Sequence, residues 1–115
     1  EKIFVVNADK AVVAGNPRYT REKSLQKIQR GDPRHGPFFP SQPDQIFRRT
    51  VRGMLPWDRA KGKKAYKNLK VFIGLPEEFR NKKLEKLKTA DANRLKCRYI
   101  NLSELSIALG AKKRW

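Results

Sequence analysis

Asp58 to Pro76 reads Asp-Arg-Ala-Lys-Gly-Lys-Lys-Ala-Tyr-Lys-Asn-Leu-Lys-Val-Phe-Ile-Gly-Leu-Pro and sets a helix, a strand and a turn in close order. Ala65 and Leu69 stand four apart among Arg59, Lys61, Lys63, Lys64 and Lys67, the spacing of a short basic helix that Asp58 could cap. Leu69 to Ile73 is an apolar run with β-branched and aromatic members, a buried strand, and Gly74-Leu75-Pro76 stops it. Ile3-Phe4-Val5-Val6 repeats the strand signal at the front of the chain, as an interior strand covered on both faces. Strands alternating with helical segments predict an α/β domain in three layers around a small, largely parallel sheet.

The segment before this stretch carries the strongest charge pattern. Arg48-Arg49-Thr50-Val51-Arg52-Gly53-Met54-Leu55-Pro56-Trp57 follows Phe47 and ends a helix at Pro56, with Asp44 as its expected N-cap. At about 100° per residue Phe47, Val51, Met54 and Leu55 gather on one side and Arg48, Arg49 and Arg52 roughly opposite. Guanidinium groups on a rigid helix match phosphate geometry. A solvated charged face is the plain alternative for one helix taken alone.

Composition separates the two. Lys and Arg number 28 against 11 Asp and Glu, a net charge of +17 on 115 residues, where solubility asks for only about 2 to 8 on a small domain. Such a field points to a polyanion, nucleic acid first. A membrane surface would call for a basic amphipathic helix or lipidation motif with exposed apolar bulk, and the chain offers neither. Leu, Ile, Val and Phe make up about a quarter of the residues, above the roughly 20% below which a highly charged chain stays disordered. A modest core in a single domain is expected.

Gly31 to Pro43 holds Pro33, Pro37, Pro40 and Pro43, with Arg34, His35, Phe38 and Phe39 between them. Four fixed φ angles predict an extended, stiff basic loop. Its phenylalanines either anchor it to the core or stack on bases, anchoring being the simpler use. Elsewhere Tyr19 to Arg30 suits a short basic helix after the break at Gly15-Asn16-Pro17. Leu84 and Leu87 suggest a further helical face. Tyr99-Ile100 suits a strand, and Ser103 and Gly110 the two ends of a last helix.

Several chemistries are missing from the sequence. One cysteine, Cys97, rules out an intrachain disulfide and suits a reducing cytoplasmic setting, and His35 is the lone histidine, too few for a zinc site. The glycines at 15, 31, 36, 53, 62, 74 and 110 include no pair spaced by one residue, and Gly62-Lys63 is followed by Lys64 instead of Ser or Thr. Neither a dinucleotide fingerprint nor a P-loop is encoded. Glu77 and Glu78 after Pro76 suit a helix start better than a catalytic pair. No enzyme, cofactor, metal or small-molecule substrate is expected.

Four ordered blocks are recognisable: Val5-Val6-Asn7-Ala8 with Gly15-Asn16; Gly36-Pro37-Phe38; Arg48 to Pro56; and Leu69-Lys70-Val71-Phe72 with Gly74 and Pro76. Together they resemble the universal large-subunit ribosomal protein L-thirteen family in its archaeal and eukaryotic branch. The resemblance implies a three-layer α/β fold with a four-stranded parallel sheet, no catalysis, and a structural role in holding and assembling large-subunit ribosomal RNA, in the cytoplasm, beside other large-subunit proteins. A free-standing RNA-binding translational regulator is the alternative. The implied RNA contacts are Arg34, Arg48, Arg49, Arg52, Lys61, Lys63 and Lys64, to which charge and position add Arg59 and Lys67. His35 stands where the family usually has a second arginine, so a titrating group replaces a fixed charge there. The family typically opens with a strand and a helix carrying Gly-Arg-Leu. Residues 1–115 are therefore expected to form a single ribosomal-protein domain lacking that first strand and helix, in a natural protein that extends before Glu1.

Overall fold

The computed structural model describes residues 2–30, 34, 36 and 38–113. Along the chain come β1 (Ile3–Val5), a 3₁₀ turn (Ala8–Lys10), β2 (Val12–Ala14), α1 (Pro17–Gln29), α2 (Pro43–Met54), α3 (Ala60–Lys67), β3 (Leu69–Val71), β4 (Tyr99–Asn101) and α4 (Leu102–Ala108). The α/β class holds. The expected single, largely parallel sheet does not: among the described residues the strands form two separate pairs, β1–β3 parallel and β2–β4 antiparallel.

The split has a local cause. Asn7 adopts a left-handed φ of 56° and the 3₁₀ turn follows at once, so the chain leaves the β1 ladder before β2 begins. Asn7 N–H still donates to the Gly74 carbonyl (2.8 Å) and Ala8 N–H to that of Phe72 (3.1 Å). The buried Asp9 carboxylate accepts from Gly74 N–H at 3.0 Å, fixing the turn to the end of β3. From there Ala11 leads into β2, where Val12, Val13 and Ala14 lie opposite Asn101, Ile100 and Tyr99.

The core forms on this second pair. Ile100, Leu102 and Leu105 are buried together, with Ala11, Val13, Leu109 and two α2 residues, Ile46 and Phe47, packed on them. A smaller aromatic cluster serves the first pair: Phe4, Phe72 and Phe79 have ring centroids 5.3 to 6.3 Å apart, and Phe79 is buried. The expectation that β1 is covered on both faces is corrected, because Ile3 and Phe4 are about half exposed and β1 pairs with β3 alone among the described strands.

Helix ends follow backbone chemistry more closely than the expected caps. Gly15-Asn16-Pro17 starts α1 instead of merely breaking the chain: the Asn16 side chain accepts from Arg18 N–H at 3.0 Å and proline occupies the first turn. On α2 the buried Pro43 opens the helix, Gln42 is the N-cap, and Asp44 lies inside the first turn, where its charge still favours the positive end of the dipole. Arg59 and Asn101, not Asp58 and Ser103, precede α3 and α4. Gly110 is the left-handed residue after α4 (φ 91°); its N–H reaches the Ile107 carbonyl and that of Ala111 reaches Ser106, each at 3.0 Å.

The helical face expected around Leu84 and Leu87 is absent. Residues 80–98 carry only short 3₁₀ turns, and both leucines are exposed. Lys82 and Lys86 stand four apart with like charge, and two leucines three apart give too narrow a stripe to dock. Asn93 N–H donates to the Asp91 carboxylate, with Lys86 Nζ 3.3 Å away, and together these hold that carboxyl below its usual range.

Leu105→Ala should lower stability by about 2–5 kcal/mol through cavity formation. Met54→Ala should change it by less than about 0.5 kcal/mol, since Met54 is 77% exposed despite lying on the expected apolar side of α2. Urea unfolding followed by circular dichroism measures both.

Candidate nucleic-acid interface

Pro56 ends α2, Leu55 being its C-cap, and the chain turns through Trp57 and Asp58 into α3. The turn is tight because Gly62 is buried against Pro56: a Cβ at Gly62 would run into the Pro56 carbonyl oxygen. Glycine within a helix costs about 1 kcal/mol relative to alanine, and the close approach it permits is what offsets that cost.

One turn beyond Gly62, on the same side of α3, stands Tyr66. The corner brings its ring under Arg48, with Cζ 4.2 Å from the ring centroid, while Arg52, one turn along α2, lies over Trp57 at 4.3 Å. Trp57 and Tyr66 meet edge to face, centroids 5.1 Å apart at 88°. Arg48, Tyr66, Trp57 and Arg52 thus form one continuous ladder. Arg48 Nη2 donates to the Tyr66 backbone carbonyl at 3.3 Å, and its Nε is buried with no hydrogen-bond partner among the described residues. Each cation–π contact is worth about 0.5–2 kcal/mol. Stacking engages the face of a guanidinium and leaves its in-plane N–H donors available. A fork held this way loses less entropy when it meets a phosphate.

The arginines therefore do not make one cationic face. Arg48 and Arg52 are half-buried in the ladder, whereas Arg49 is exposed on another side of α2. There it borders a cleft of about 360 Å³ between α2 and the 38–40 segment, lined also by Phe38, Phe39, Gln45 and Tyr66. Arg59, Lys61, Lys63, Lys64 and Lys67 are all exposed. At about 100° per residue Lys63, Lys67, Lys64 and Lys61 follow one another around one broad side of α3, on average opposite Gly62 and Tyr66. Arg34 is exposed in the proline-rich segment, and His35 lies outside the described residues. No helix among the described residues is long and apolar enough to cross a membrane.

Three residues that shape this surface escape a charge-based reading: Trp57, Tyr66 and Gly62. A glycine inside a lysine-rich helix, one turn before a tyrosine, is the available signal, because only a close contact justifies it.

Comparison with known proteins places this geometry in context. The family model described as Ribosomal protein L13 matches residues 1–78. The large ribosomal subunit protein uL13 of Methanopyrus kandleri is 49% identical over 113 residues, covering 96% of this chain and 71% of that protein. Its counterpart from Archaeoglobus fulgidus is 44% identical over 112 residues, with 96% and 72% covered. That from Methanosarcina barkeri is 41% identical over 113 residues, with 97% and 81% covered.

Two glycine substitutions should act with opposite signs. Gly62→Ala should destabilise by about 1–3 kcal/mol, as overpacking does, and should shift the near-ultraviolet circular dichroism of Trp57 as the ladder opens. Gly53→Ala, in α2 with nothing within 4 Å of a new Cβ, should stabilise by about 0.5–1 kcal/mol. Denaturant titration of the two variants decides both signs.

Proposed function

The chain belongs to the ribosomal protein L13 family, and from that premise we propose that it is a structural, non-catalytic constituent of the large ribosomal subunit that binds and helps assemble large-subunit ribosomal RNA. The match over 96% of the chain to relatives named as large-subunit proteins carries this reading. Its place is then the cytoplasmic ribosome, and its partners are ribosomal RNA and neighbouring large-subunit proteins. The net charge of +17 supplies the long-range attraction.

Recognition rests on phosphates and shape, because the narrow major groove of A-form RNA hides base edges from side chains. Two kinds of cation divide the work. Arg52, pre-oriented on Trp57, gives directional in-plane donors, and Arg48, stacked on Tyr66, adds those that the Tyr66 carbonyl and burial leave open. Lys63, Lys64 and Lys67 give point charges on long stems that adapt to the backbone path. Arg34, His35, Arg49, Arg59 and Lys61 complete the proposed contact set.

Sedimentation tests the assignment. The protein should co-migrate with the large subunit through a high-salt wash, and presence only in light fractions would favour the free-standing regulator instead. Replacing Lys63, Lys64 and Lys67 together by Gln should reduce the slope of log affinity against log salt by about 2–3, at roughly 0.7–0.9 per lost phosphate contact. Folding should be unaffected, since all three are exposed. An unchanged slope would remove α3 from the interface.

A further inference from the structure

The cleft between α2 and residues 38–40 has the features of a site for a flat, unpaired ring. Phe38 is 65% exposed, so it does not anchor the segment to the core; Phe39, at 37%, sits deeper and also lines a second cleft with Ile46 and Leu105. One phenylalanine anchors and its neighbour is displayed. The displayed ring is also held in place: it lies 3.0–3.1 Å from where a Cβ on Gly36 would stand, and Gly36 has a φ of +77°. Glycine is needed there both for the backbone and for the ring. The cleft itself, about 360 Å³, falls at the lower end of the roughly 300–1,000 Å³ range of small-ligand sites.

Its polar groups suit a base. Gln45 brings an amide with both a donor and an acceptor, the pair that meets a Watson–Crick edge, and Arg48 and the exposed Arg49 also line the cleft, as cations for the adjoining phosphates. Among the described residues no carboxylate lines the cleft, so charge favours RNA over an ordinary protein segment. We propose that this cleft takes one unpaired nucleobase of the bound RNA, stacked on Phe38 and flanked by Arg49. The proposal rests on the RNA-binding reading above and adds a base-specific element to it.

Two RNA hairpins of equal length and charge test it, one with a single bulged 2-aminopurine and the other with that nucleotide paired. The bulged hairpin should bind more tightly by roughly 5- to 100-fold, the size of one base–aromatic stack, with quenching of 2-aminopurine fluorescence. Phe38→Ala should abolish both the preference and the quenching while leaving the salt slope and the affinity for the paired hairpin unchanged. Phe38→Trp should retain them, and Gly36→Ala, which displaces the ring, should weaken them. Equal binding of the two hairpins with a steep salt slope would overturn the base site and leave the phosphate-binding reading intact. If Phe38→Ala weakens retention on the subunit but leaves the bulge preference unchanged, Phe38 faces a protein neighbour and the proposal is wrong. Failure to bind either hairpin would remove the RNA reading, and the base site with it.

Discussion

At the corner between α2 and α3, the Pro56 carbonyl leaves room for no side chain larger than a hydrogen atom at position 62. That restriction places Tyr66 and Trp57 where Arg48 and Arg52 can lie over them, and so determines which cations are fixed in direction and which are left on free stems. The corner also leads directly into β3 through Asn68, whose carbonyl accepts from Ile3 N–H at 2.9 Å. The same short run of chain therefore organises the basic surface and positions the strand on which β1 pairs.

A small core under heavy like charge limits how such a surface can be built. Ile100, Leu102 and Leu105 are its buried centre, and among the described residues the ion pairs Arg18–Glu22 and Lys86–Asp91 lie on α1 and in the segment before β4. At the α2–α3 corner, aromatic faces do what carboxylates do in many proteins. A carboxylate would hold an arginine by its in-plane donors and neutralise it; a ring holds it by its face, keeping both charge and donors for an outside anion. Self-repulsion is the accompanying cost, and a polyanion relieves it.

What the sequence made legible was local. The strand beginning at Leu69, the stop at Pro56 and the left-handed Gly110 each follow from neighbouring residues and stand in the structure. The caps at Asp44, Asp58 and Ser103 missed by a residue or two, because an extended backbone just before each helix, joined on α2 by a proline at the first position, settles the boundary without a side-chain cap. The pairing of the strands was not legible: it depends on the left-handed Asn7 and on Asp9 reaching Gly74, 65 residues along the chain. Nor was the arginine ladder, since Arg48 and Tyr66 are 18 positions apart and a helical projection of α2 knows nothing of what lies across from it. Leu84 and Leu87 show the reverse error, a plausible periodicity with too little apolar width to pack.

The edge-to-face contact of Trp57 with Tyr66 joins two arginine stacks that would otherwise be independent. Groups sharing a contact in this way are energetically non-additive. Arg52 does not touch Tyr66 through its own stack, yet a change at Tyr66 alters the support of Trp57 and hence of Arg52. The four positions should accordingly drift together through descent, with substitutions at one admitting substitutions at another that would be rejected alone.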